Sequence, residues 1–99
     1  MEIPTGLLIS LHPEPFEPLE LLAAWQQAAA ALAPPPAAES HFIGRVRPIA
    51  ADGTALEALE LEHYPGMSER CLQELAGELA ERHGVNRLRL AHRIGRVRT

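Results

Sequence analysis

Residues 59 to 84 read LELEHYPGMSERCLQELAGELAERHG, which combines a strand-like pattern, a turn and a helix-like pattern. Its alternating start predicts a strand whose buried face carries Leu59 and Leu61. A connection from strand to helix needs only a residue that breaks the strand and a residue that caps the helix. The HYPGM turn also contains a histidine and a tyrosine, which such a connection does not require. His63 and Tyr64 therefore either pack locally or form the lip of a site. The solvent-exposed face of the strand carries Ala58, Glu60 and Glu62.

Beyond the turn the apolar spacing changes to three and four residues. This spacing predicts a helix from Pro65 or Ser68 to His83, and Gly84 supplies a left-handed cap at its end. Glu69, Arg70 and three further glutamates lie on the polar face. The apolar stripe consists of Met67, Cys71, Leu72, Leu75, Ala76, Leu79 and Ala80.

Working outward, the stretch TGLLISL (5–11) is short and apolar and predicts a strand. A helix should begin at Pro18 and stop before the three prolines at 34–36, which lack the amide hydrogens that a helix needs. HFIGRVRPI (41–49) predicts a second strand, and AADGT (50–54) predicts a turn.

The last strand is expected in NRLRLAHRIGRVR (86–98), with Arg89 and Arg93 on its solvated face. His92 shares the apolar face, where we expect a hydrogen-bonded core histidine rather than a catalyst. The order strand, helix, strand, strand, helix, strand predicts one α+β domain over 1–99, with helices packed on a largely antiparallel sheet. The apolar face of the last strand carries Leu88, Leu90, His92 and Ile94.

The charge pattern excludes several classes of protein. The formal net charge is −4 over 99 residues, which argues against a general nucleic-acid or membrane-surface binder. All nine basic residues are arginine, so no lysine amine of this chain can act as nucleophile or base. Residues 82–99 hold six of these arginines and no acid.

A single cysteine, Cys71, excludes an internal disulfide and a thiolate-based zinc site, and we expect no metal. On the apolar stripe Cys71 should act as a small hydrophobe. The N-terminus lacks the features of a secretory signal, and no run of eighteen apolar residues occurs, so we expect a cytoplasmic protein that neither crosses nor binds a membrane.

The clearest candidate site in the residues themselves is GRVR at 44–47. Arg45 and Arg47 would project to one side of a strand that ends at Pro48. Strand ends commonly present ligand contacts, and the planar guanidinium suits phosphate and carboxylate groups. These residues predict an anion site in a small α+β domain.

The motifs FIGRVR, LELEHYPGM and RLRLAHRIGRV, with a helix before the last of them, resemble the large, catalytic subunit of molybdopterin synthase. The resemblance is continuous over 41–97, where EHYPGM and HRIG are hallmarks of that family. It is weaker over 1–40, where the proline- and alanine-rich linker at 33–38 is not a family feature.

The resemblance implies a dimer that binds a small ubiquitin-like sulfur-carrier subunit ending in a thiocarboxylate. Sulfur would pass from it to cyclic pyranopterin monophosphate to build the dithiolene of molybdopterin, and no separate cofactor is implied. The residues that match the family's pterin-pocket segment are Arg45, Val46 and Arg47. His63 and Tyr64 would mostly shape the fold beside that pocket.

The family's catalytic lysines have no counterparts here, so no catalytic residue is assigned. On the resemblance we expect a sulfurtransferase subunit shortened at its C-terminus. Two alternatives stay open: a non-catalytic module that binds the pterin or a partner, and one half of a split enzyme completed by a second chain.

Overall fold

The computed structural model describes residues 6–99. The predicted α+β class is confirmed, with two helices and four short strands in the described part. Thr5, the first residue of the first predicted strand, lies outside that part. In chain order the elements are β1 (Leu7–His12), α1 (Pro18–Ala30), β2 (Ala58–Leu61), α2 (Met67–His83), β3 (Leu88–Arg93) and β4 (Gly95–Arg98).

The strands form two small sheets rather than a single one. β1 pairs with β3 in parallel, from Leu7 opposite Leu88 onward, and β2 pairs with β4 antiparallel. The long strand expected over 86–98 is broken because Gly95 has a φ of 77°, in the left-handed region that favours glycine. The break sends β3 and β4 to different partners.

Helix α2 follows the sequence prediction closely and packs against β1. It ends at Gly84, which has a φ of 66° and donates its N–H to the Ala80 carbonyl, as predicted for a left-handed cap. The Val85 N–H also donates to the Ala80 carbonyl, at 2.8 Å. The carbonyl of Ala80, in the last turn of the helix, is therefore satisfied.

The predicted apolar stripe of α2 is buried only in part. Ala76 and Val97 are the buried apolar side chains of the described residues. Met67, Leu75 and Leu79 are exposed. Each sheet has two strands and offers little area to cover a helix face, so the stripe extends beyond what β1 can bury.

Helix α1 begins at Pro18, as predicted, and Glu17 caps it by accepting a hydrogen bond from the Leu19 N–H at 3.2 Å. The helix ends at Ala30, ahead of the three prolines. Gln26 then donates to a carboxylate oxygen of Glu39 at 3.0 Å, which ties the following linker back to the helix.

The strand predicted over 41–49 does not form. Pro48 has no N–H to donate, and no neighbouring strand of the described part pairs with 41–47. The turn after it does form, because Ala50 donates its N–H to the Thr54 carbonyl at 2.8 Å and Ile49 bridges Ala55. Residues 41–47 therefore form an irregular segment.

Neither helix of residues 6–99 combines the length and apolar character that crossing a bilayer requires.

Candidate functional site

An open groove of about 330 Å³ lies where the two sheets meet the first turns of α2. The ends of β1, β2 and β3 contribute to it, and its walls are mainly apolar with a few polar groups among them. The side chains that line it are Leu11, Leu61, Glu62, Ser68, Cys71, Leu72, His92, Arg93 and Ile94.

One wall of the groove belongs to the turn between β2 and α2, which is held by its own side chains. The Tyr64 hydroxyl donates to Glu62 at 2.6 Å, and the Tyr64 N–H donates to the Ser68 hydroxyl at 3.0 Å. The Gly66 N–H donates to Glu69 at 2.9 Å, and Gly66 has a φ of 81°. Tyr64 thus ties the strand-to-helix turn both to Glu62 and to the first turn of α2, at the edge of the groove.

These contacts shift two acid–base equilibria. The hydrogen bond to Glu62 raises the pKa of the Tyr64 hydroxyl, because an adjacent carboxylate opposes a second negative charge. Backbone N–H donors, from its own residue and from Gly66, lower the pKa of Glu69, and His63 adds to the effect. Glu69 is therefore a carboxylate at neutral pH and stabilises the positive N-terminal end of α2.

His63 keeps one nitrogen without a close partner. Its Nε2 is shielded from solvent and has no hydrogen-bond partner within the described residues. The nearest carboxylate oxygen, from Glu69, is 3.8 Å away, which is too far for a hydrogen bond.

The other wall of the groove contains the His92–Gly95 segment. His92 is exposed rather than in the core as expected, and its Nδ1 donates to the Arg93 carbonyl at 2.6 Å. Arg93 is half-buried, not solvated: its Nε donates to the His12 carbonyl at 3.1 Å. Its Nη2 donates to the carbonyls of Pro13 and Arg96 at 3.1 and 3.2 Å. Arg93 thus joins the end of β1 to the start of β4.

Cys71 carries an exposed thiol on this groove, whereas the sequence pattern predicted a small buried hydrophobe. Within residues 6–99 no cluster of histidine, cysteine or carboxylate side chains could hold a metal ion.

Arg45, Val46 and Arg47, the predicted phosphate-binding residues, lie in the irregular segment and do not line the groove. Both arginines are exposed and Val46 is half-buried. Neither guanidinium bonds or ion-pairs with a residue of the described part.

A model of the family described as MoaE protein matches residues 12–99. The chain belongs to the MoaE family. The match begins well before residue 41, so it also covers α1 and the proline-rich linker, where the sequence resemblance is weak. It includes both walls of the groove and the 45–47 segment.

Several curated relatives of this MoaE chain bear the name molybdopterin synthase catalytic subunit. The protein of Pseudomonas aeruginosa is 45% identical over 56 residues, which are 57% of this chain and 37% of the relative. That of Haemophilus ducreyi is 37% identical over 62 residues, 63% of this chain and 40% of the relative. That of Mesorhizobium japonicum is 50% identical over 44 residues, 44% of this chain and 28% of the relative.

The match thus spans two fifths or less of the length of these relatives. No solved structure matches the chain.

Sequence reasoning found the two motifs that form the groove but missed the role of Arg93. Alternation along a strand shows which face a side chain is on, but not which backbone carbonyls it reaches. The proline at position 13 was a usable signal, because a proline ends strand pairing and leaves its own carbonyl open to a side-chain donor.

Proposed function

We propose that this chain acts as a molybdopterin synthase catalytic subunit in molybdenum cofactor biosynthesis. In this role it takes part in sulfur transfer from the thiocarboxylate of a small ubiquitin-like subunit to cyclic pyranopterin monophosphate. The observation that carries the proposal is the MoaE match over 12–99, supported by relatives that bear that name. The single cysteine is consistent with work in a reducing cytoplasm.

Within this proposal Arg45 and Arg47 hold the cyclic phosphate. Their guanidinium groups are exposed and have no carboxylate partner in the described part, so their donors are available to an anion. Val46 lies between them and is half-buried, which anchors the segment while the two charged side chains stay in solvent.

A five-residue sequence that contains Arg45 and Arg47 occurs twice in the chain, and its second copy supplies a matched control for the test. Ile-Gly-Arg-Val-Arg occurs at 43–47 and again at 94–98, where Arg98 lies 3.6 Å from Glu57. Calorimetric titration with cyclic pyranopterin monophosphate should show that Arg47→Ala weakens binding by roughly ten- to a hundredfold, since charge-assisted hydrogen bonds contribute about 1.5–3 kcal/mol. Arg98→Ala should bind as the wild type does. Equal affinity of the wild type and Arg47→Ala would refute the assignment.

The lack of lysine favours a second candidate: a module that binds pterin or partner and leaves the transfer to another polypeptide. On this basis we expect no molybdopterin from the chain, thiocarboxylated small subunit and precursor alone. Product above the no-protein control would show that a group other than lysine catalyses the transfer. Product only after a lysine-bearing polypeptide is added would identify the chain as one half of a split enzyme.

The proposed partners include a second copy of the chain. Each described strand pairs with a single neighbour, so each sheet has open edges that another chain can extend. Sedimentation equilibrium at micromolar concentration should show a twofold dimer. A monodisperse monomer would contradict the dimer and leave only the hypothesis that a different chain pairs with the open edges of the sheets.

A further inference from the structure

The face of the β1–β3 sheet opposite α2 carries an unusual set of polar groups. Leu7 lies against Gly77 of α2, and side chains alternate along a strand, so Ser10 and His12 point away from that helix. The parallel register places Arg89 beside Leu8 and Arg93 beside His12, which puts both arginines on this same open face.

Ser10 links two of these groups. Its hydroxyl accepts a hydrogen bond from Arg89 Nη1 at 2.9 Å and lies 2.6 Å from His12 Nε2. A guanidinium can only donate, so the hydroxyl hydrogen is free to point at His12. The His12 ring also packs against Phe16, with ring centroids 4.7 Å apart, which fixes its position on the face.

Within the described residues, Arg89 uses only one nitrogen of its guanidinium for hydrogen bonds. All three of its hydrogen bonds, to Ser10 and to the carbonyls of Leu8 and Leu90, come from Nη1. The Nε and Nη2 donors have no acceptor in residues 6–99. These two donors lie side by side, and this spacing matches two oxygens of a carboxylate, sulfate or phosphate group.

Three other arginines of the chain pair with carboxylates. Arg82 pairs with Glu78, and Arg96 and Arg98 pair with Glu57. Arg89 and Arg93 form no ion pair with a carboxylate of the described residues. Two half-buried guanidinium groups that pair with no carboxylate of residues 6–99 favour a local positive potential that attracts anions.

We propose that Arg89, Ser10 and His12 form a binding site for a small oxyanion of the sulfate or phosphate type. Arg89 receives two oxygens through Nε and Nη2. When His12 is protonated, its Nε2–H donates to the Ser10 hydroxyl, whose own hydrogen can then turn to the anion. Arg93 adds charge while it stays bound to the carbonyls of His12 and Pro13. The site is separate from Arg45 and Arg47, so it does not depend on the proposed function.

The acid–base properties of the face agree with this arrangement. Partial burial and the charges of Arg89 and Arg93 lower the pKa of His12, and burial also lowers the pKa of Arg89. A bound anion would oppose the two arginines, so its binding should raise the pKa of the His12 ring.

The test uses sulfate, whose charge is constant between pH 5 and 8, at a fixed ionic strength maintained with sodium chloride. In the wild-type chain, amide NMR shifts should saturate with sulfate and be largest at residues 8–12 and 87–93. The pKa of His12, followed by its ring proton, should rise in the same titration. Shifts that do not saturate, that chloride reproduces, or that are largest at Arg45 and Arg47 would overturn the proposal.

A matched pair of variants tests the main donor. Arg89→Met should weaken sulfate binding by roughly ten- to a hundredfold, whereas Arg82→Met, which removes an exposed arginine of α2, should not change it. Unchanged affinity in Arg89→Met would also overturn the proposal. If Arg89→Met does not fold, the wild-type shift map decides the question alone. Loss of sulfate binding in Arg89→Met with normal pterin binding would separate this site from that of Arg47.

Discussion

The same five residues, Ile-Gly-Arg-Val-Arg, occur at 43–47 and at 94–98, and they fold differently. In the second copy, Gly95 has a φ of 77° and Val97 is buried opposite Leu59 in the β2–β4 pair. In the first copy no strand forms and Val46 is only half-buried. Local sequence alone therefore does not decide between strand and loop; the available partner strand does.

The two copies also differ in the carboxylate partners of their arginines. Arg96 lies 2.8 Å and Arg98 lies 3.6 Å from the same carboxylate of Glu57. Arg45 and Arg47 have no such partner in the described part. The arginines of one copy thus pair with a carboxylate within the fold, whereas those of the other pair with none of residues 6–99.

The largest expected difference between the copies concerns their valines. Val97→Ala removes buried methyl groups and should lower the free energy of unfolding by about 2 kcal/mol. Val46→Ala should cost less than half of that, because Val46 is half-buried in an irregular segment. Urea unfolding of both variants measures the difference. Equal losses would mean that residues 43–47 pack as tightly as β4.

A smaller difference is expected at the glycines. Gly95→Ala places a side chain at a φ of 77°, which should cost about 1 kcal/mol or slightly more. At Gly44 an added Cβ would lie 3.4 Å from the Phe42 ring, an ordinary contact, so Gly44→Ala should change stability by less than about 0.5 kcal/mol. Thermal unfolding compares the two, and an equally large loss at Gly44 would contradict the described backbone.

The smallest effect is expected from Glu57→Gln. This change removes the partner of Arg96 and Arg98, but all three side chains are well exposed, so the loss should stay below about 1 kcal/mol. The loss should shrink further at 1 M salt, because salt screens exposed charges. Urea midpoints at low and high salt provide the measurement. A loss that does not depend on salt would show that Glu57 acts through packing instead.

The sequence predicted elements whose signals are local. Pro18 starts α1 and Gly84 ends α2, because proline and glycine restrict or release the backbone at their own positions. The prediction of a strand over 41–49 was wrong. A strand needs a neighbouring strand to pair with, and no pattern within those nine residues shows whether one is available. The parallel β1–β3 pair was missed for the same reason.

In the candidate site, too, the sequence predicted local features but not contacts between distant segments. The EHYPGM and HRIG motifs carried the resemblance to the family, and the structure brings Glu62 and His92 from them to one groove. The alternation that placed Arg89 and Arg93 on a solvated face gave the correct face but not their contacts. Both arginines bend back onto backbone carbonyls from β1, which lies 81 residues away in the chain. The periodicity of residues within one segment does not indicate which distant segment it contacts.

The pairing of β1 with β3 also sets an order for folding during synthesis. The two strands are 81 positions apart, so β1 leaves the ribosome long before its partner does. At common translation speeds of about 5–20 residues per second, β1 waits for roughly 4–16 s. Helices α1 and α2 can form in that interval, whereas the sheet must close last and across a long loop, which slows folding. Through this interval the apolar residues of β1 lack their strand partner and are open to contacts with other chains.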